Sequence, residues 1–349
     1  MPNLEEQIIA QLSTVIEPEL HRDLVSLNMI RDLTVDGGTA SFTIMLTTPA
    51  CPLKDRIAEE ARQAALRVPG INEVNIRLDS SVPADTRIQS RMNLDIKNLI
   101  AVSSGKGGVG KSTIAANLAV ALRLSGSSVG LMDADILGPN LPMMMGIYQM
   151  PPPVEQRFFP AEAYGVKVMS MGFLVDPSRP IIWRGPMVHS AIRQFFTDVE
   201  WGSLDYLIID LPPGTGDAQL TLAQSVPLTG AIIVTQPMEV ALGDALRGLA
   251  MFEQVEVPII GVVENMSGEF FGEGGGKRLA EQRGVPFLGS IPLDVQVRVG
   301  GDNGQPIVAT HPDSPAALAL TQMAQKVAAQ VSVMNLNRSN NTIPLVTLD

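Results

Sequence analysis

Ser103-Ser104-Gly105-Lys106-Gly107-Gly108-Val109-Gly110-Lys111-Ser112-Thr113 fits the template G-x-x-x-x-G-K-[ST] at Gly105, Gly110, Lys111 and Ser112. A short apolar run, Leu99 to Val102, precedes it as the strand of that template should. The glycines let the backbone curl into a nest of N–H donors, and the helix that follows points its positive end at bound phosphate. Lys111 is placed to neutralise β- and γ-phosphate oxygens, and Ser112 to reach a Mg²⁺ ion. The segment Gly105 to Thr113 is therefore the expected nucleotide-binding loop, with Lys106, Gly107, Gly108 and Val109 at its crest. Lys106 is a second lysine that the template does not require. From the second loop position it cannot easily curl back onto its own nucleotide, which makes the nucleotide of a second subunit its target and predicts a homodimer.

Working outward, apolar strand-like runs alternate with helical ones from Asn98 onward. They are Leu99 to Val102, a helix from Lys111, Ser128 to Met132, Val166 to Met169, a helix near Val188, Tyr206 to Ile209, Ala231 to Thr235, a helix near Ala241, and Pro258 to Val263. That alternation predicts an α/β fold, a doubly wound and mainly parallel sheet with ligands at the carboxyl ends of the strands. Tyr206 to Ile209 ends in Asp210 and a turn rich in Pro and Gly, Leu211-Pro212-Pro213-Gly214-Thr215-Gly216-Asp217. An aspartate there can hold a metal-bound water while the turn senses a γ-phosphate, so Asp210 reads as a Walker B residue and Pro212 to Asp217 as a switch.

With its second lysine the loop is a deviant Walker A motif. The chain resembles the Mrp-type (ApbC-like) branch of the MinD, ParA and nitrogenase-iron-protein ATPases, with matching blocks from about residue 97 to 330. The resemblance implies roles for further residues. Met132-Asp133-Ala134-Asp135-Ile136-Leu137-Gly138-Pro139 is similar to the family's first switch, whose second aspartate orients the attacking water. That makes Asp135 catalytic together with Lys106 and Lys111, and gives Asp133 a place in the Mg²⁺ shell beside Ser112 and Asp210; the residue types alone equally suit a helix cap. Asn265 resembles the family's adenine-reading asparagine, and Ile291-Pro292-Leu293-Asp294 the loop on the other side of the base, with Pro292 against it; a turn-capping Asn is the alternative. Trp183-Arg184-Gly185-Pro186-Met187 resembles a block typical of Mrp-type proteins, for which packing is the expected role.

Residues 1–80 read as a small α+β domain. Leu4 to Val15 is amphipathic, Ala40 to Leu46 alternates, Cys51 to Val68 has helical spacing, and Val74 to Leu78 alternates again. Glu17-Pro18-Glu19-Leu20 and Thr47-Thr48-Pro49-Ala50-Cys51-Pro52 resemble the MIP18-type domain often fused to Mrp-type ATPases. Residues 81–97, polar and with alternating charge, read as a linker, 98–335 as the ATPase domain and 336–349 as a tail.

With 349 residues, 45% of them hydrophobic, the chain can bury a large core. A net charge of -11 argues against a nucleic-acid-coating protein. The N-terminus lacks the basic and apolar regions of a leader, and no stretch of about 18 apolar residues occurs, so a cytoplasmic protein with no membrane partner is expected. His21, His189 and His311 have no metal-ligand spacing. Met143-Met144-Met145 is either gap-filling or a soft partner surface.

Cys51 is the single cysteine. Mrp-type proteins that carry iron-sulfur clusters typically have a Cys-x-x-Cys pair after the Asn-Met-Ser segment, and two subunits pool four thiolates. Here Asn265-Met266-Ser267 leads into Gly268-Glu269-Phe270-Phe271-Gly272-Glu273-Gly274-Gly275-Gly276, without cysteine. A cluster at that interface lacks its ligands. Cys51, ahead of a helix N-terminus that would lower its pKa, is the candidate thiolate, with a buried and inert thiol as the alternative.

The resemblance implies a Mg-ATP-dependent dimeric ATPase of iron-sulfur cluster assembly or transfer, acting on client proteins, with a cluster as a further cofactor. A nucleotide-switched scaffold and a positioning ATPase of the MinD or ParA kind are the alternatives. The second of these needs a basic amphipathic or nucleoid-binding element, and from Val331 to Asp349 the only cation is Arg338.

Overall fold

The computed structural model describes residues 3–135, 138–155, 157–173, 185–214 and 216–341. The chain forms two compact units, one made of residues 1–83 with 328–349, the other of residues 84–327.

In the first unit, helix α1 (Leu4–Leu12) starts at Asn3, whose side chain accepts from the Glu6 N–H while Glu6 returns a bond to the Asn3 N–H. This capping box satisfies two otherwise orphaned donors. The two-residue strands β1 (Ile16–Glu17) and β2 (Arg22–Asp23) pair antiparallel. A three-stranded sheet follows, in the order β3 (Ile30–Asp36), β4 (Thr39–Leu46), β5 (Glu73–Ser80), with β4 antiparallel to β3 and parallel to β5. Helix α2 (Lys54–Ala65) makes the crossover between the parallel pair. Ile8, Leu12, Phe42, Ile44 and Ile57 pack together beneath it. Each fully buried side chain of this size contributes about 1.5–3 kcal/mol.

The second unit begins with α3 (Thr86–Met92) and is organised on an eight-stranded sheet. Its strands are β6 (Leu99–Ser104), β7 (Val129–Asp133), β8 (Ala161–Ala163), β9 (Val166–Ser170), β10 (Tyr206–Asp210), β11 (Gly230–Thr235), β12 (Ile259–Ser267) and β13 (Phe287–Pro292). Their order is β13-β12-β11-β6-β10-β7-β9-β8, and all neighbours are parallel except β8 and β9. Every residue of β6, β7, β10 and β11 is buried. Strands covered on both faces by helices must be apolar throughout, which is why these runs do not alternate. The helices are α4 (Lys111–Leu124), α5 (Leu141–Met144), α6 (Gly185–Thr197), α7 (Asp217–Ser225), α8 (Glu239–Gln254), α9 (Gly275–Arg283), α10 (Val295–Asp302), α11 (Ile307–Thr310) and α12 (Pro315–Asn341), with a 3₁₀ turn at Met171–Phe173. Alanine-rich α4 is buried along most of its length, so it acts as a core helix.

The stretch 81–97, read as a linker, holds α3 instead. Asp85 caps it by accepting from the Arg87 N–H, Arg87 bridges to the Leu228 carbonyl at 2.9 Å, and Ile88 is fully buried. Ile88, Met92 and Leu94 give a polar segment just enough apolar surface to join the larger core. The expected tail from 336 is helical as far as Asn341, and α12 supplies residues to both units. Residues 342–349 lie outside the described residues.

Candidate nucleotide site

The loop between β6 and α4 is shaped by two glycines. At Gly105 a Cβ would stand 2.0 Å from the Asp244 carbonyl oxygen on α8, so only glycine allows that approach. Gly110 caps α4 at φ +84°, a left-handed conformation, and a Cβ there would lie 2.2 Å from Asn265 Nδ2. No side chain caps this helix end, which leaves its N–H groups for an anion.

Lys111 and Ser112, the first two residues of α4, reach Asp210 at the end of β10. Lys111 Nζ donates to Asp210 Oδ1 at 2.6 Å and Ser112 Oγ donates to Oδ2 at 2.6 Å. Asp135 Oδ2 stands 3.7 Å from Lys111 Nζ. Lys111 is 6% exposed and Asp210 1%, so this is a desolvated cluster of one cation among carboxylates. Burial raises the Asp210 carboxyl above the usual carboxylate range, while Lys111 pulls it back. Asp133 is raised as well, by burial first and then by the Asp210 charge.

A cavity of about 650 Å³ opens over the loop. Its wall includes Lys111, Ser112, Asp135, Asn265 and Pro292. Gly107, Gly108, Gly110 and Thr113 complete the loop side, and Met143, Met144, Met266 and Leu293 supply apolar surface opposite. Val109 is buried, and its carbonyl accepts from Asn265 Nδ2 at 2.9 Å. Lys106 is half-buried, and its ammonium has no ion-pair partner among the described residues.

The structure thus brings together Lys111, Ser112, Asp135, Asp210, Asn265 and Pro292. Asp133 lies beneath the cavity, and its oxygens accept from the Asp135 N–H at 3.1 Å, the Ser170 hydroxyl at 2.9 Å and the Leu141 N–H at 3.3 Å. It buttresses Asp135. Of the two switches, Ile136, Leu137 and Thr215 lie outside the described residues, as do Trp183 and Arg184 of the block that follows.

Of the two alternatives for Cys51, its burial favours the inert thiol. It is 7% exposed and precedes α2 by three residues. Burial, reinforced by the charges of Glu19 and Glu17, pushes its thiol up to about 11. The expected lowering by the helix end is outweighed. Glu19 itself is pushed up to about 7, by burial and then by Glu17.

Sequence reasoning missed Glu264. This residue of β12 is fully buried and accepts from the Gly274 N–H at 3.0 Å, the Gly276 N–H at 2.7 Å and Ser290 Oγ at 2.8 Å. It ties β12, β13 and the N-terminus of α9 together, next to Asn265. A carboxylate directly after the apolar run Ile259 to Val263 of the same strand was its signal.

Parallel strands, a glycine loop opening a helix, and an aspartate at the end of the adjacent strand define the P-loop NTPase class. The comparisons narrow the class. Residues 95–328 match the ParA family model, described as the NUBPL iron-transfer P-loop NTPase, and residues 5–78 match the iron-sulfur cluster assembly protein family. An iron-sulfur cluster carrier protein of Synechocystis sp. is 49% identical over 348 residues, covering 95% of this chain and 99% of that protein. The iron-sulfur cluster transfer protein NUBPL of Dictyostelium discoideum is 49% identical over 253 residues, 69% of this chain and 78% of its own. Among solved structures, a nucleotide-binding protein from Archaeoglobus fulgidus in complex with ADP has a TM-score of 0.55 at 38% identity, covering 64% of this chain and 92% of that one. MinD of Pyrococcus horikoshii, complexed with Mg-ADP, shares the fold with a TM-score of 0.54 at 24% identity, covering 65% and 94% of the two chains. The chain belongs to the ParA/NUBPL iron-transfer P-loop NTPase family and carries an N-terminal iron-sulfur cluster assembly domain. Among the described residues, no helix is long and apolar enough to cross a membrane.

Proposed function

We propose that the chain is a slow, Mg²⁺-dependent ATPase that works as a homodimer and delivers an iron-sulfur cluster, as cargo, to client proteins. The observation that carries this reading is the convergence of Lys111, Ser112 and Asp135 on one cavity at the strand ends, with Asp210 bonded to the first two from behind. Lys111 leaves Asp210 for the β- and γ-phosphate oxygens when ATP enters. The hydroxyl of Ser112 and the carboxylate of Asp210 are hard oxygen donors, and they fit Mg²⁺. When bound, that ion neutralises charge on the phosphates. Asp135 orients the water that attacks the γ-phosphorus, and Asp133 fixes Asp135 through its backbone N–H. Asn265 spends one amide hydrogen on Val109 and keeps its carbonyl oxygen and second hydrogen for the donor and acceptor of an adenine edge. Lys106, without an ion-pair partner among the described residues, completes the site of the opposite subunit.

A second reading has its own observation. The only cysteine is buried with a raised pKa, which favours a nucleotide-switched scaffold whose partners supply the thiolates. Anaerobic reconstitution with iron and sulfide, followed by ATP-dependent transfer to an apo acceptor, separates the two. Iron loading with transfer supports the carrier. ATP turnover without iron loading supports the scaffold, and absence of turnover sinks both.

A further inference from the structure

The stretch after Asn265-Met266-Ser267 forms a hairpin with an exposed tip. Gly268 and Gly272 exchange both backbone bonds, at 3.0 and 2.8 Å, across an antiparallel bridge. Below it, buried Glu264 holds the N–H groups of Gly274 and Gly276, so the loop is fixed at its base to the strand that carries Asn265. At the crest Phe270 is 81% exposed, the most exposed large apolar side chain among the described residues. Its ring meets Phe271 edge to face, with centroids 4.8 Å apart at 78°. Glu269 and Glu273 flank the pair, exposed and without ion-pair partners among the described residues. The nearby cations are otherwise engaged, Arg278 with Glu239 and Lys277 with Glu281.

We propose that the Gly268–Gly274 hairpin is a docking tip for a basic segment of a partner protein, one that sets an apolar side chain between Lys or Arg residues. The inference rests on the client-delivery reading and names the kind of surface a client offers. An open phenyl face beside two free carboxylates attracts a cation twice, through the ring quadrupole and through ion pairing. The aliphatic stems of Lys and Arg then cover the ring. Rigid presentation lowers the ordering cost of docking, and an aromatic anchor with a charged rim is the usual form of a binding hot spot. A chain of net charge -11 with an acidic tip repels anionic lipid and nucleic acid.

The test uses the full-length protein and two short fluorescent peptides with one Leu-Phe anchor, flanked by lysines in one and by glutamates in the other. Anisotropy titrations are expected to show salt-sensitive binding of the lysine peptide alone. Phe270→Ser is expected to weaken it at least about tenfold. Exchange of both carboxylates (Glu269→Lys with Glu273→Lys) should transfer the preference to the glutamate peptide, with ATP turnover unchanged throughout. The proposal is overturned if the wild type binds neither peptide or if Phe270→Ser binds as tightly, which is attraction by bulk charge. It is equally overturned if that variant alters the oligomeric mass, which makes a second copy the occupant, or if it loses turnover. Failure of cluster transfer by the unaltered protein would sink the delivery reading instead, and is read in a separate assay.

Discussion

Replacing Lys111 with alanine should cost stability as well as nucleotide binding, and the cost should depend on pH. Lys111 is the cation of a desolvated cluster, 2.6 Å from Asp210 and 3.7 Å from Asp135. At an effective dielectric near 20, the shorter contact alone is worth about 6 kcal/mol before desolvation is charged against it. Breaking a buried pair by removing one partner costs about 3–5 kcal/mol. We expect that loss near pH 7. Ser112 would be the only side-chain donor left on Asp210 among the described residues. The sign of the pH dependence follows from the raised carboxyls. An aspartate whose native pKa lies above its unfolded value binds protons more tightly when folded, so its contribution is most favourable below the unfolded value and is lost as pH rises through the native one. Burial already puts Asp210 and Asp133 in that position, and removing Lys111 pushes them further. The penalty should therefore shrink steadily between pH 7 and about pH 4.5. Urea unfolding followed by the fluorescence of Trp201, which is buried in the same unit, measures it. A penalty below about 1 kcal/mol at pH 7, or one that does not shrink on acidification, refutes the reasoning.

On the proposal that its charge is delivered to another subunit, Lys106→Ala should keep ATP affinity and lose turnover; full turnover removes the cross-subunit role. Asp135→Ala should bind Mg-ATP and trap the dimer, as size-exclusion chromatography with ATP will show, whereas ordinary hydrolysis would reduce Asp135 to a helix cap. Gly110→Ala must place a methyl 2.2 Å from Asn265 Nδ2 at φ +84°, at a cost of about 1–2 kcal/mol or more, and equilibrium titration should show ATP affinity reduced at least about tenfold. Cys51 should react slowly with iodoacetamide in the native protein at neutral pH, faster as pH climbs toward 11, and readily in urea. Quick alkylation of the native protein at pH 7 would show an accessible thiolate instead.

What could be read from the sequence was what is local. Gly105, Gly110, Lys111 and Ser112 carry their chemistry within a single turn of chain, and the strand ending in Asp210 announces itself by an apolar run with a charge at its end. The order of the eight strands is set by pairing between segments far apart, which no short window contains. The stretch 81–97 misled because a seven-residue helix offers too few apolar positions to show a period. The choice between the two alternatives at Cys51 was not legible for a related reason. Its helix lies next to it in sequence, but Glu17 and Glu19, which oppose ionisation together with burial, come from a turn more than thirty residues earlier. Glu264 makes bonds to partners ten to twenty-six residues ahead, and nothing in its own strand hints at them.

The long final helix also dictates a timetable. The first unit is closed by residues from Ala328 onward: Ser332 donates to the Thr47 carbonyl and Asn335 to that of Pro83. On the ribosome its first 83 residues emerge complete, but their closing piece follows only after the 244 residues of 84–327. At roughly 5–20 residues per second that is an interval of roughly ten to fifty seconds. During it the carbonyls of Thr47 and Pro83 wait for these donors, and a chaperone can hold the unclosed unit while the second is still being made. A premature stop within residues 84–327 would therefore leave the first unit without its closing piece as well as truncating the second.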